Sequence, residues 1–486
     1  MFDFLADIWP QTTSIITPVY IITTIFIAIL IVLENRSPVK TISWVLVLVL
    51  IPLGGIIVYL FFGQEYRKRK MFSRKGLHDL EQLRKLTTEQ MKILHQYKFG
   101  ESLHRKKHLM NLLLNNSNSI LTNDNEVKIL KNGSEKFAEL FSEIEKARHH
   151  IHIEYYIIED DETGNYLREL LIRKAREGVE VRLIYDDVGS WELKRKFIRS
   201  MKNEGIKIDC FMKVRFPSLT SRVNYRNHRK IVVIDGLVAF TGGINIADRY
   251  LKGIPGIGPW RDTHLKLTGG AATALQIIFM ADWYFVSKEI LQGAPYFKPF
   301  KTGKGKVVQI CASGPDSDWE SIHQAYFSAI ATATSYVYIA TPYLLPTVDL
   351  LSAIKIAALS GIDVRILLPD KSDAHIAKWG TESYIKELLE AGVKVYFFMA
   401  GFTHSKVIIA DGVFSSVGTA NVDFRSLETN FEVNAMVYDE KVARKLTRYF
   451  LNDLAHSWQV LPEEWEKRPW LQKVRESFAR IFSPLL

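Results

Sequence analysis

Two copies of one polar pattern stand in this chain: His228-Arg-Lys230 with Asp235, and His404-Ser-Lys406 with Asp411. Each is His-x-Lys, then four residues, then Asp. In an extended chain residues i and i+2 share a face, so each His and Lys point together, and the apolar or small residues that follow build core. Asp235-Gly236 and Asp411-Gly412 predict tight hairpin turns. Beyond each turn, Gly242-Gly243-Ile-Asn245 and Gly418-Thr419-Ala-Asn421 fall at matching distances. Small residues there allow close backbone approach to a ligand, and Asn245 and Asn421 can donate to phosphate oxygens. Downstream, Asp262 in Trp260-Arg-Asp-Thr and Glu432 in Asn430-Phe-Glu-Val supply carboxylates to orient the two imidazoles. Two imidazoles, two ammoniums and two carboxamides without a metal cluster suit displacement at a phosphodiester. One His attacks phosphorus, the other protonates the leaving alcohol, and Lys and Asn neutralise the non-bridging oxygens. A single His on a strand is ordinarily structural; the duplication at equal spacing is what points to chemistry.

The elements that must position these groups are themselves duplicated. Gly178-Val-Glu-Val-Arg-Leu-Ile matches Gly361-Ile-Asp-Val-Arg-Ile-Leu, and Gly205-Ile-Lys-Ile matches Gly392-Val-Lys-Val, at offsets of 183 and 187 residues. Each repeat opens with a helical stretch (135–148; 319–332), continues in a strand (149–158; 335–340) and then a helix that ends at the matched glycine. The class is α/β, and this alternation predicts mostly parallel sheets covered on both faces. Lys301-Thr-Gly-Lys-Gly-Lys306 reads as the seam between repeats, because its glycines lack the spacing and strand-to-helix setting of a phosphate loop. His150, His152 and Glu154 alternate on one strand face, where hydrogen bonding to neighbours is the expected role rather than metal ligation. Cys210 and Cys311 cannot form a disulfide framework or a thiolate zinc site and are expected to be buried and reduced. No cofactor and no metal are expected.

At 486 residues with 47% hydrophobic and 24% charged, the chain exceeds one ordinary domain and is too apolar to be disordered. Ile8 to Leu33 and Thr41 to Gln64 carry no charge, and each is long enough to cross ~30 Å of hydrocarbon. A two-helix transmembrane hairpin is expected. Asp3, Asp7 and the lack of early basic residues argue against a cleaved signal. The basic run Arg67 to Lys70, with Arg74 and Lys75, places the downstream chain in the cytoplasm by the positive-inside bias. Residues 76–122 read as a helical linker near the bilayer surface. Trp465 to Phe482 reads as an amphipathic helix, either interfacial or packed on the body. A net charge of +10 favours anionic partners, nucleic acid or acidic headgroups. Lys213 to Lys230 holds six Lys/Arg and no acid, and beside an apolar hairpin that stretch suits anionic lipid better than nucleic acid.

At these residues the sequence resembles the phospholipase D superfamily and, within it, bacterial cardiolipin synthases. The resemblance runs through Tyr59-Leu-Phe-Phe-Gly63, Ile153-Glu-Tyr-Tyr156, Asp160-Asp-Glu162, both His-Lys-Asp motifs, Trp260-Arg-Asp262, Ala312-Ser-Gly-Pro-Asp316, Thr341-Pro-Tyr343 and Asn430-Phe-Glu-Val-Asn434. It implies two pseudo-repeated phospholipase D-like domains with mixed sheets flanked by helices, after an N-terminal transmembrane hairpin. The expected organisation is a hairpin over 1–65, a basic juxtamembrane linker over 66–122, and repeats over 123–300 and 301–486. The resemblance further implies a multi-pass cell-membrane enzyme that converts two phosphatidylglycerols into cardiolipin and glycerol through a phosphatidyl-histidine, without metal. His228 is then the nucleophile and His404 the acid, although duplication permits the reverse. Lys230, Lys406, Asn245 and Asn421 hold the phosphate, while Asp235 and Asp411 are mainly structural. The partners implied are phosphatidylglycerol and an anionic bilayer, not nucleic acid. Hydrolysis by a membrane-bound phospholipase D, or a tethered nuclease, stays open, and the oligomeric state is unread.

Overall fold

The computed structural model describes residues 18, 21–33, 38–51, 54–59, 106–214, 224–293, 295–296 and 305–483. The expected connector at 34–37, the basic run at 67–70, most of the linker and the seam at 301–304 lie outside them. The chain divides into two units, one containing the N-terminal segment and the other nearly all of the rest.

In the N-terminal unit residues 21–33 are helical, as are Pro38–Leu50 and Gly54–Val58. Ile31, Leu48 and Tyr59 are buried, and Trp44 meets Tyr59 edge-on with ring centroids 5.5 Å apart. Ile22, Phe26, Leu33, Leu46 and Leu50 face outward. Among the described residues no helix is long and apolar enough to cross a membrane.

The second unit holds two mixed sheets. The first runs Val127–Lys131, Thr263–Thr268, Val238–Gly242, Ile231–Ile234, His150–Tyr155, Glu180–Asp186, Lys207–Phe211. The last three strands are mutually parallel, and every other neighbouring pair is antiparallel. The second sheet repeats that order, from Lys306–Ser313 through Glu432–Tyr438, Phe414–Gly418, Val407–Ala410, Tyr336–Ala340 and Asp363–Pro369 to Lys394–Phe398. The mostly parallel sheets expected from helix–strand alternation are thus mixed. Helical crossovers make the parallel half, while each Asp-Gly hairpin joins one antiparallel pair of the other half.

Local chemistry explains the repeated elements. Asp161 caps the helix Glu162–Arg176 by accepting from Gly164 N–H at 2.9 Å, and Asp439 caps Glu440–Leu454 by accepting from Val442 N–H at 2.9 Å. Gly178 and Gly361 end their helices at φ 89° and 86° with nothing near the missing Cβ, so left-handed backbone rather than space requires glycine. Lys107–Ser117, from the expected linker, buries Leu109, Met110, Leu113 and Leu114 in the core of the second repeat. Strand Leu121–Asn125 then pairs antiparallel with Lys306–Ser313 at that sheet's edge. The second repeat is therefore completed by chain that precedes the first.

Each motif aspartate occupies a two-residue turn with both φ values positive: Asp235 54° and Gly236 66°, Asp411 56° and Gly412 67°. Asp235 accepts the N–H groups of Arg148, His149 and His150 at 2.9, 2.8 and 2.9 Å, fixing the start of the central strand. Asp411 accepts those of Thr334 and Ser335 at 2.9 and 2.8 Å, and the Lys106 ammonium at 3.1 Å. Asp411→Ala strands a buried lysine and is expected to cost roughly 3 kcal/mol, against about 1–2 kcal/mol for Asp235→Ala. Urea unfolding reads the difference. Turnover per folded molecule should stay within a few fold of wild type.

Candidate active site

The chain leading into each His-x-Lys is hydrogen-bonded to the opposite repeat. His228 N–H donates to the Phe431 carbonyl at 2.9 Å, and Phe431 N–H donates to the Arg226 carbonyl at 2.9 Å. The mirror ladder pairs Phe402–Thr403 in parallel with Trp260–Arg261. There His404 N–H donates to the Arg261 carbonyl at 2.7 Å, and Phe402 N–H to the Pro259 carbonyl at 2.9 Å. Aromatic packing anchors both ladders. Phe402 enters the core of the first repeat against Trp260, with centroids 4.7 Å apart, and Phe431 meets Phe211 at 5.0 Å.

The side chains cross with the backbone. His228 Nδ1 lies 2.9 and 3.0 Å from the two Glu432 carboxylate oxygens, and His404 Nδ1 lies 2.9 Å from Asp262 Oδ2. The carboxylate serving each imidazole thus comes from the other repeat, a pairing the sequence left open. Both carboxylates are fully buried. Thr419 Oγ1 donates to Glu432, and Thr263 N–H donates to Asp262 Oδ1 at 2.7 Å. A Cβ at Gly243 would stand 2.2 Å from Asp262 Oδ1, and one at Gly418 would stand 2.2 Å from Asn434 Oδ1. The small residues after each turn therefore clear room for neighbouring side chains of the protein, where the sequence suggested room for a ligand.

Burial sets the protonation of the site. It pushes His228 down to about 4, and His404 well below the usual imidazole value. Each imidazole is then neutral at pH 7, donates its Nδ1–H to a carboxylate and keeps a lone pair on Nε2. Lys230 Nζ donates to the His228 carbonyl, and Lys406 Nζ to the His404 carbonyl, each at 2.7 Å. Burial brings Lys230 down to about 7 and Lys406 to about 8, and each ammonium acts on the histidine of the other repeat. Asp262 is raised by burial to about 6. Glu432 resists the same burial, because His228, Lys230 and Thr419 hold it below the ordinary carboxylate value.

The two asparagines are built into loops. Asn245 donates Nδ2–H to Tyr250 Oη at 2.6 Å and accepts from Ile157 N–H at 3.2 Å. Asn421 donates Nδ2–H to Asp423 at 2.8 Å. Each amide keeps one N–H with no hydrogen-bond partner among the described residues. Asp235 and Asp411 lie five residues past the lysines, roughly 16 Å along an extended strand and away from the imidazoles. His152 stacks on Phe279 at 4.5 Å and is hydrogen-bonded to Gln276, while Glu154 accepts from Asn227. Among the described residues no cluster of His, Cys, Asp and Glu is arranged to hold a metal. Cys311 is buried and Cys210 partly so, both unpaired. Arg226, Arg229 and Lys230 of the basic stretch are buried; Arg226 meets Asp186 at 3.2 Å and Arg229 is bonded to Asp282.

Several contributors escaped the sequence reading. Tyr156 stands edge-on to His228 at 5.0 Å with Lys230 over its ring, and Trp260 lies 5.1 Å from His404. Both sit in strings already singled out, so position in the motif was the available signal. Asp373 has no such marker: its carboxylate accepts from Tyr343 Oη at 2.6 Å, and its charge raises the proton affinity of His404 and Lys406.

The family model for "Cardiolipin synthase, PLD-like domain" matches residues 140–254 and 326–454, one segment per repeat. A cardiolipin synthase from Halalkalibacterium halodurans is 46% identical over 475 residues, covering 96% of this chain and 92% of that one. The chain belongs to the cardiolipin synthase family. Other family members include the cardiolipin synthase of Listeria innocua, 43% identical with 96% and 98% of the two chains covered, and cardiolipin synthase 2 of Bacillus anthracis, 42% identical with 96% and 91% covered. Residues 21–64 match the model "Phospholipase_D-nuclease N-terminal". A crystal structure of phosphatidylserine synthase from Haemophilus influenzae has the same fold, with a TM-score of 0.60, 14% identity, and 79% of this chain and all of that one covered.

For this family member the charges make a directional forecast. Below pH about 6 Asp262 takes up a proton and ceases to accept from His404, and above pH 7 to 8 the two lysines lose their charge. kcat/KM should therefore fall on both sides of neutrality. Lys230→Arg, which stays charged, should move the alkaline limb upward in a pH–rate profile, at whatever cost in absolute rate.

Proposed function

We propose that this phosphatidyltransferase converts two molecules of phosphatidylglycerol into cardiolipin and glycerol through a phosphatidyl-histidine. The observation that carries this reading is the crossed pair of imidazoles, each held at Nδ1 by a carboxylate of the other repeat and subject to the charge of both lysines. The anionic phosphodiester, once bound, raises the proton affinity of His404, which takes a proton from solvent on Nε2. Nε2 of His228 then attacks phosphorus, and the bond to the departing glycerol oxygen breaks as His404 delivers that proton to the oxygen. His404 then takes the proton from a hydroxyl of the second phosphatidylglycerol, whose oxygen attacks the phosphohistidine and frees His228. Lys230, Lys406 and the uncommitted N–H groups of Asn245 and Asn421 hold the non-bridging oxygens. The difference between the two carboxylates supports this division of labour. Glu432, kept ionised, steadies the nucleophile, while Asp262, near 6, suits the residue that passes protons in both directions.

The anchor is a two-helix transmembrane hairpin over 1–65, followed by a juxtamembrane segment over 66–122 and the repeats over 123–300 and 301–486, on the cytoplasmic side. Its support is the pair of uncharged runs, the outward-facing apolar residues of the N-terminal helices, and the match over 21–64. Phosphatidylglycerol given to purified protein should yield cardiolipin and glycerol in equal amounts. Phosphatidic acid in place of cardiolipin would mean that water, not a lipid hydroxyl, takes the intermediate. His228→Ala and His404→Ala should each lower turnover by roughly 10²–10⁴-fold. Rapid quenching with labelled donor should leave phosphate on His228, and near-normal activity of either variant would exclude the two-histidine route.

A further inference from the structure

The C-terminal helix Trp470–Ile481 is docked by one face and bare on the other. Ala479 and Glu476 are buried, Glu476 bonds Arg468, and Arg480 lies over the Tyr384 ring at 4.1 Å and donates to Glu387 at 2.6 Å. Opposite, Trp470, Leu471, Val474, Phe478 and Ile481 form a stripe, with Trp470 71%, Phe478 63% and Ile481 71% exposed. A structural helix would be expected to bury its apolar face and leave the polar one to water. Here the polar and charged groups make the docking contacts.

The supporting helix His375–Glu390 is tied to the helix Val348–Leu359 by Lys355 and Glu387 at 2.8 Å. Their outward residues include Ile376, Ile356 and Leu359. The supporting helix starts two residues after Asp373, whose charge acts on His404 and Lys406. Cations border the stripe. Lys473 and Arg475 lie beside it on the tail helix, Lys473 donating to the Glu466 carbonyl at 2.7 Å and Arg475 set over the Trp379 ring at 5.6 Å, while Arg480 faces the body and Glu476 is buried in its own pair. An apolar stripe with tryptophan at one end and basic flanks fits the interfacial layer of an anionic membrane.

We propose that the tail stripe is a second membrane contact, inserting Trp470, Val474 and Phe478 into the interface of an anionic phospholipid bilayer. This deepens the reading of the protein as a lipid transferase and rests on it for the choice of a lipid surface over a protein one. Insertion would hold the catalytic body against the bilayer that presents its substrate.

The test uses the full chain with Cys210→Ser, since Cys311 is buried, and single cysteines Val474→Cys, Phe478→Cys and, as control, the exposed Lys441→Cys on helix Glu440–Leu454. Each carries a nitrobenzoxadiazole label in phosphatidylcholine vesicles with or without phosphatidylglycerol, the acyl chains brominated. The expected result is blue-shifted, bromine-quenched emission at 474 and 478, stronger with phosphatidylglycerol, and none at 441. Water-like emission at 474 and 478 overturns the proposal, as does efficient 478-to-478 crosslinking without quenching, which would assign the stripe to a second copy. Phe478→Glu should lower turnover of bilayer phosphatidylglycerol roughly tenfold and spare that of short-chain monomeric phosphatidylglycerol. Equal loss on both substrates would count against the proposal. No turnover of either substrate by wild type would sink the transferase reading alone, and the quenching result would still decide the stripe.

Discussion

Each motif imidazole is held by a carboxylate that belongs to the other repeat. His228 depends on Glu432 and His404 on Asp262, and the backbone ladders at Phe431 and Arg261 set those distances. Neither repeat alone can orient its own histidine. The interface between repeats is thereby part of the active site, and whatever loosens it, such as the aromatic anchors Phe402 and Phe431, acts on the chemistry through a few tenths of an ångström at Nδ1.

The same burial that makes the carboxylates effective makes the site electrostatically tense. Two ammoniums, two imidazoles and two carboxylates are buried together, and the lysines lie near the point of losing their protons. On the proposed mechanism, a phosphodiester entering between them would supply the missing negative charge and restore full charge to the cations just where negative charge develops in the transition state. The slight inequality of the halves, Asp262 raised and Glu432 lowered, gives a nearly symmetric frame two different chemical ends.

Much of this was readable before any fold was known, for specific reasons. The His-x-Lys spacing is a period-two signal, and Asp-Gly demands positive φ, which the turns at 235 and 411 adopt. The four matched glycines marked helix ends in both repeats. Asp262 and Glu432 could be nominated because they recur after each asparagine. What was misread involved partners distant in sequence. Gly243 looked like space for a ligand, whereas it is space for Asp262. Lys107–Ser117 looked like a polar linker because its amphipathic face is short, yet it closes the second core. Alternation of helix and strand counted the crossovers but not the antiparallel returns.

By itself the sequence determined the chemistry available, its duplication, the turns and strands that carry it, and the α/β class, because these depend on residues within a few positions of one another. Only the tertiary structure decided that the carboxylates cross, that Asp373 and Tyr156 join the site, that the asparagines are braced inside loops, and that the tail helix shows its apolar face outward. Those features join residues up to some two hundred positions apart, as His228 and Glu432 are. Local patterning constrains which face a side chain takes and not which neighbour it meets, since pairing at such range is settled by how whole sheets pack.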